Sequence, residues 1–161
     1  MSEGKKFFGK YRGTVINNID PEQIGRIQAI VPAVSNVVPT SWAMPCVPFA
    51  GKSEGFFAVP QIGSGVWIEF EGGDVSYPIW TGCFWHDGEQ PSQATGSVKV
   101  IVTRSGHSIV LDDDGVTITI SDHNNNTVTL SPDGITLRRG GSSVAIGDAE
   151  VNVNDGALEV L

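Results

Sequence analysis

The sequence predicts an all-β protein in which a small barrel is followed by a repetitive β-structure. Proline and glycine account for 9 and 20 of the 161 residues, and they interrupt the chain at intervals that suit short strands. No long window combines apolar spacings of three and four with a capping residue, as a helix requires. From about Ser97 onward, apolar residues at positions i and i+2 recur in pairs, each followed by a turn signal. Together these observations argue against a helical or mixed fold.

Composition divides the chain into two parts. Eight of the nine prolines lie in residues 1–91, as do all four tryptophans, and the rest of the chain is rich in Val, Ile, Thr, Asn, Asp and Gly. The formal charge is −3 over residues 1–90 (6 basic, 9 acidic) and −5 over residues 91–161 (4 basic, 9 acidic). We therefore expect a barrel domain over residues 1–90, a linker over 91–96 and a rod over 97–161. The acidity disfavours nucleic acid, which needs clustered Lys and Arg.

Five short strands are predicted in the first part. They are expected where apolar and polar residues alternate, over residues 11–17, 25–31, 43–47, 65–71 and 77–85. The proline-rich segment between the second and fourth of these strands is expected to cover surface with little ladder pairing. Five short strands with glycines that permit tight bends fit a barrel of the OB type.

The second part predicts eight further strands that form a rod. Each strand carries apolar residues on one face, and those expected to pack along the rod axis are Ile109, Leu111, Ile118, Ile120, Val128, Leu130, Ile135, Leu137, Val144, Ile146, Val151 and Val153. The intervening threonines, such as Thr119, face the other way. One ribbon cannot bury its own apolar stripe, so identical chains are expected to wind together with their stripes inward.

Neither a catalytic set nor a metal or cofactor site is predicted. The run Asp112–Gly115 lacks the alternating ligands and closing Glu of a calcium loop, and we interpret it as a solvated turn. The three histidines are isolated in sequence, and no Gly-x-Ser-x-Gly elbow is present. Cys46 and Cys83 are interpreted as small buried thiols without a disulfide.

Ordered motifs in both parts carry a family resemblance. The motifs are Gly13-x-Val15, Asn18-Ile19-Asp20-Pro21, Gly25-Arg26-Ile27, Pro60-x-x-Gly63-x-Gly65-Val66-Trp67-Ile68-Glu69-Phe70-Glu71-Gly72-Gly73-Asp74, Pro78-Ile79-x-x-Gly82 and Gly106-His107-Ser108-Ile109-x-Leu111-Asp112-Asp113. In this order they resemble the contractile-tail central spike family, which includes phage baseplate assembly protein V and the valine-glycine repeat proteins of type VI secretion. The resemblance covers nearly the whole chain.

The resemblance implies a homotrimeric structural protein that is not an enzyme. Three OB barrels would form a collar, and three ribbons would wind into an intertwined β-helix, or β-prism. Such a spike stands at the tip of a contractile injection apparatus (a phage tail baseplate, an R-type bacteriocin or a related injection system) and punctures the target envelope. The expected partners are a baseplate hub or tube protein, contacted through Phe7, Phe8 and Tyr11, and the target outer membrane, met only transiently.

The two ends of the chain carry further expectations. Many phage spikes hold iron through a His-x-His pair at the tip, but here the last histidine is His123. A blunt, metal-free end is therefore expected, where Leu158, Val160 and Leu161 contact a PAAR-repeat tip protein; a self-closing tip is the alternative. The amino terminus lacks a hydrophobic segment of signal-peptide length. Synthesis in a bacterial cytoplasm and assembly into the baseplate are expected.

A second function class remains open from the sequence. An OB barrel with a trimerising β tail could bind carbohydrate or nucleic acid, with Trp42, Trp67, Trp80 and Trp85 as stacking platforms. The net charge of −3 without a basic cluster favours core and interface roles for these side chains.

Overall fold

The computed structural model describes residues 5–160, with residues 159 and 160 described by their backbone alone. The chain divides between Glu89 and Gln90 into two compact units. Both units are built from β-strands, with a short 3-10 helix at Glu71–Gly73 in the first. This confirms the predicted all-β class. No helix within the described residues has the length and apolar character needed to cross a membrane.

The amino-terminal unit is a curled, OB-like sheet. Its strands are β1 (Tyr11–Asn17), β2 (Gln28–Ile30), β3 (Met44–Pro45), β4 (Ala50–Gly51), β5 (Glu54–Gly55), β6 (Gly65–Phe70) and β7 (Pro78–Phe84). Five of them form one sheet of order β2-β1-β6-β7-β3, antiparallel except for the parallel pair β3–β7. Strands β4 and β5 form a separate hairpin, which the sequence did not predict.

The curled sheet closes on itself around a core. Ile27 and Ala43, which flank β2 and β3 at the two ends of the sheet order, exchange backbone hydrogen bonds of 3.2 and 2.7 Å. Because the sheet closes, the inward residues of each strand meet in one cluster. The buried apolar residues are Val15, Ile27, Ala29, Val31, Ala43, Val66, Ile68, Phe70 and Trp80.

The loop between β1 and β2 is organised by Asp20. Its carboxylate accepts hydrogen bonds from the backbone N–H groups of Glu22, Ile24 and Arg26 at 3.0–3.2 Å. It also pairs with the Arg26 guanidinium, with an Oδ1–Nη2 distance of 2.7 Å. The Arg26 side-chain bond and these backbone donors hold the pKa of Asp20 well below its ordinary value. The buried Asp20 carboxylate therefore ties together the turn from Asn18 to Arg26, whose residues Ile19 and Ile24 are exposed.

The carboxyl-terminal unit is a single antiparallel meander. Its strands are β8 (Val98–Val102), β9 (Ser108–Asp112), β10 (Thr117–Ser121), β11 (Thr127–Ser131), β12 (Gly134–Arg139), β13 (Ser142–Ile146), β14 (Val151–Val153) and β15 (Leu158–Val160). Each strand pairs with the next, giving an eight-stranded sheet with β8 and β15 at its ends. Every apolar pair recognised in the sequence lies in one of these strands. That several chains intertwine into a β-helix stays a prediction.

Gly134 lets β12 start close to β13. Its φ is +125°, a backbone conformation that side chains with a Cβ rarely adopt. A Cβ at this position would also collide with the backbone carbonyl oxygen of Ile146. Glycine at this position is therefore required by the pairing of β12 with its neighbour.

Candidate functional site

One face of the carboxyl-terminal sheet carries two continuous rows of paired residues. The register gives the first row as Ile101, Ile109, Ile120, Val128, Leu137, Val144, Val153 and Leu158. The second row, two residues away along each strand, is Lys99, Leu111, Ile118, Leu130, Ile135, Ile146, Val151 and Val160. Paired positions of antiparallel strands share a face. We call this surface the ladder face.

The ladder face is uncovered in the single chain. Ile118 is 40% exposed, Ile120 46% and Leu137 43%, which is far more than a core residue shows. Two open grooves lie beside the rows, with volumes of about 820 and 510 Å³. Contiguous apolar surface of this extent marks an interaction site.

All twelve predicted axis residues lie on the ladder face. The opposite face presents a central row of Val100, Val110, Thr119, Thr129, Thr136, Ala145 and Asn152. Thr119, Thr129 and Thr136 therefore lie on the face opposite the predicted axis residues, as expected. That the ladder residues pack around a shared axis remains a prediction.

A network of hydrogen bonds closes the first hairpin of the carboxyl-terminal unit. Lys99 Nζ binds Asp113 Oδ2 at 2.7 Å and the carbonyl oxygen of Gly96 at 2.9 Å. Ser97 donates from Oγ to Asp114 Oδ2 at 2.5 Å, and the backbone N–H of Asp113 donates to the Ser97 carbonyl. Lys99 is thus the charged member of an otherwise apolar face, and its ammonium is held at the edge of the sheet.

The predicted tip residues are described in part. Leu158 is 59% exposed. Leu161 lies outside the described residues, and so does the side chain of Val160. Contact with a tip protein through these three residues remains a prediction.

The predicted hub residues lie in two environments. Phe7 and Tyr11 pack against the core, and their ring centroids lie 6.0 Å apart and 6.1 and 5.7 Å from that of Phe70. Phe8 is 72% exposed. Of the three, Phe8 is the side chain with most of its surface free for a partner, and the hub contact remains a prediction.

A cation–aromatic cluster on the outside of the barrel was missed from the sequence. The Arg12 guanidinium lies 5.3 Å from the ring centroid of Trp67 and 5.1 Å from that of Phe84. Gly65 makes room for this arrangement, because a Cβ there would come within 2.7 Å of the Phe84 ring. Arg12, Trp67 and Phe84 are brought together by pairing between strands that are distant in sequence. Alternation within one strand therefore could not reveal the cluster.

The candidate metal and nucleophile residues are not assembled into sites. Within the described part of the chain, no group of three or more His, Cys, Asp or Glu side chains could hold a metal ion. The Asp112 carboxylate accepts a hydrogen bond from the Gly115 N–H, and Asp113 forms an ion pair with Lys99. Cys46 and Cys83 are free and exposed, so the interpretation as buried thiols was wrong: Cys46 directly follows β3, and Cys83 lies on β7 at a position that faces away from the core.

His107 and His123 are brought together by the turns that precede β9 and β11. The backbone N–H of His123 donates to His107 Nδ1 at 3.3 Å, and the His123 ring contacts the carbonyl oxygen of Ser105 at 2.9 Å. In the same turn, Asn126 and Asn124 donate hydrogen bonds that hold the pKa of Asp122 below its ordinary value. These contacts order the turn.

Two family models match the chain. The model of the type VI secretion system/phage-baseplate injector OB domain matches residues 11–85. The model of the phage baseplate V carboxyl-terminal trimerisation domain matches residues 98–159, which include the whole ladder face except its last residue. A search of individual curated proteins gave no match.

Proposed function

The chain belongs to the phage baseplate V family of structural baseplate and spike proteins, and we propose that it is the central homotrimeric spike of a contractile injection apparatus. The amino-terminal barrels join the baseplate hub, and the carboxyl-terminal sheets form a rod that punctures the target envelope. The apparatus is a phage tail, an R-type bacteriocin or a related injection system.

The uncovered ladder face is the observation that carries this proposal. Burying an aliphatic side chain fully is worth ~1.5–3 kcal/mol, so covering the roughly 40% that remains exposed on Ile118 or Leu137 contributes about 1 kcal/mol for each. The match of this unit to a trimerisation domain supports two further copies of the chain as the cover. Three ladder faces turned toward one axis would bury one another.

The role of such a rod is mechanical. Each strand of the carboxyl-terminal unit is hydrogen-bonded to the next from β8 to β15, so force applied at one end passes through a continuous ladder. A core of interlocking side chains resists compression, because protein interiors are close-packed. No catalytic group is needed for this work.

The two ends of the spike contact different partners. The hub or tube protein binds the amino-terminal unit near Phe8, which is the exposed one of the three predicted hub residues Phe7, Phe8 and Tyr11. A PAAR-repeat protein covers the carboxyl end at Leu158, which is more exposed than the ladder residues Ile118 and Leu137. The membrane is met only during puncture.

Stoichiometry in solution tests the proposal. Light scattering coupled to size exclusion should give about 51 kDa, three times the chain mass of 17.1 kDa. The mass should persist on dilution, because the uncovered sheet has no stable alternative as a monomer. A well-folded monomer of about 17 kDa would refute the spike function.

The Arg12, Trp67 and Phe84 cluster supports a second candidate, a binding module for single-stranded nucleic acid or carbohydrate. Arginine over aromatic rings is a common stacking surface. Filter binding to oligonucleotides and to oligosaccharides, with Arg12→Ala as the comparison, tests it. Binding that is lost in Arg12→Ala would favour this function, and no binding in the unsubstituted protein would leave the spike as the function.

A further inference from the structure

The turns of the carboxyl-terminal sheet lie along two opposite edges. In an antiparallel meander, successive turns alternate between the two sides. The turns after β8, β10, β12 and β14 therefore lie along one edge, and those after β9, β11 and β13 along the other. Each strand of about five residues spans roughly 17 Å, which separates the edges.

The two edges carry opposite charge. One, the acidic edge, presents five exposed carboxylates: Asp113, Asp114, Asp133, Asp148 and Glu150. The other, the basic edge, presents the exposed guanidinium groups of Arg104, Arg138 and Arg139. It also carries Asp122 and Asp155, together with His107 and His123. The negative charge of Asp122 is stabilised by its hydrogen bonds to Asn124 and Asn126.

The edge charges are mostly unpaired within one chain. Among the described residues, none of the three arginines of the basic edge forms an ion pair. On the acidic edge, Asp113 pairs with Lys99. The separation of the edges prevents one from neutralising the other in the same sheet, because charges that far apart are screened at physiological salt.

A cyclic trimer brings unlike edges together. In a trimer with threefold symmetry, each copy contacts its neighbour through two different surfaces, one from each copy. Such a contact is heterologous. For three meander sheets that enclose one axis, the edge of one copy meets the opposite edge of its neighbour. Acidic edges would then face basic edges at all three corners.

We propose that the acidic edge of each copy packs against the basic edge of the next copy, and that this charge pairing selects the direction in which the ladder faces assemble. The proposal rests on the trimeric spike function. The occupant of each edge is a second copy of this chain, and the argument for it is charge complementarity between two edges of one sheet.

Rotational symmetry also predicts which charges meet. Symmetry-related residues lie at the same height along a threefold axis, and the strands of each copy follow one another along that axis in chain order. The turn after β12 of one copy therefore lies at a height between the turns after β11 and β13 of the neighbouring copy. Arg139 should therefore face Asp133 and Glu150 of the neighbouring copy.

Single charge reversals with a matched control test the pairing. Arg139→Glu and Lys52→Glu both change the net charge by −2 at exposed positions, but Lys52 lies in the loop between β4 and β5, in the other unit. The measurement is the rate of trimer dissociation in a fixed urea concentration, followed by light scattering. We expect Arg139→Glu to dissociate about tenfold faster at low salt, and Lys52→Glu to behave as the unsubstituted protein. The difference should shrink in 0.5 M NaCl, because added salt shortens the screening length.

A charge swap separates pairing from damage to the fold. Adding Asp133→Lys or Glu150→Lys to Arg139→Glu restores the net charge of −8 and should restore slow dissociation. Equal rates for Arg139→Glu and Lys52→Glu, or failure of both swaps to restore the rate, would overturn the proposal. If the unsubstituted chain is a monomer, the spike function itself fails; if it is a trimer insensitive to these changes, only the edge pairing fails.

Discussion

Ile68 and Ile118 lie inside comparable strands, β6 and β10, yet their surroundings differ completely. Ile68 has no exposed surface, whereas Ile118 is 40% exposed. In the amino-terminal unit the sheet closes through Ile27 and Ala43, so each strand finds a cover within the chain. In the carboxyl-terminal unit each strand pairs only with its sequence neighbours. Local pairing makes a sheet but gives its apolar face no cover within the chain, and we propose that other copies supply that cover.

The largest expected effect is from a charge on the ladder face. Ile118→Asp would bury three carboxylates in the trimer, each costing several kcal/mol without a partner. We expect loss of assembly, measured by light scattering. Thr119→Asp is the matched control, because Thr119 is the next residue on the opposite face, and it should assemble normally. Normal trimers of Ile118→Asp with unchanged melting would show that the ladder face is not buried.

A substitution that creates a cavity in the closed barrel should change stability rather than assembly. Ile68→Ala should lower the free energy of unfolding of the amino-terminal unit by ~2–5 kcal/mol without changing stoichiometry. Tryptophan fluorescence follows this unit alone, since all four tryptophans lie within it. Val37→Ala, at an 82% exposed position, is the control. If Ile68→Ala dissociates the trimer, the two units do not bury their apolar residues independently.

The Asp20 turn gives the barrel a pH dependence. The folded-state pKa of Asp20 lies below its ordinary value of 3.8, so its stabilising contribution is complete above that pH and declines as the pH falls below it. Asp20→Asn should therefore destabilise the amino-terminal unit at pH 7, and the difference should narrow below pH 3.8. Urea titrations at several pH values measure it, with Asp87→Asn as the control. A difference that does not change with pH would mean that the carboxylate charge is not what stabilises the turn.

The smallest effect on assembly is expected at the end of the ladder. Deleting residues 157–161 removes β15 but leaves the other strand pairs, so the trimer should persist with slightly reduced stability. Binding of a PAAR-repeat protein should be abolished, as measured by pull-down with the purified partner. Elemental analysis should find no stoichiometric iron. A truncated trimer that still binds the tip protein would place the contact elsewhere.

Local sequence pattern predicted the carboxyl-terminal unit almost completely. Its eight strands join neighbours through short turns, so alternation and turn residues are sufficient to place Ile118 and Leu130 opposite each other. The motifs around Asp20 and Gly65 likewise identified the family. The same local information predicted the five strands of the barrel sheet.

Tertiary structure decided what depends on distant parts of the chain. The parallel pairing of β3 with β7 and the exposure of Cys46 and Cys83 carry no local signal, because each depends on which distant strand lies alongside. The same holds for Arg12, which reaches Trp67 and Phe84 only after β1, β6 and β7 have paired. The segregation of acidic and basic turns also becomes visible only in the folded meander. Sequence periodicity determines which side chains share a face; long-range pairing determines what that face meets.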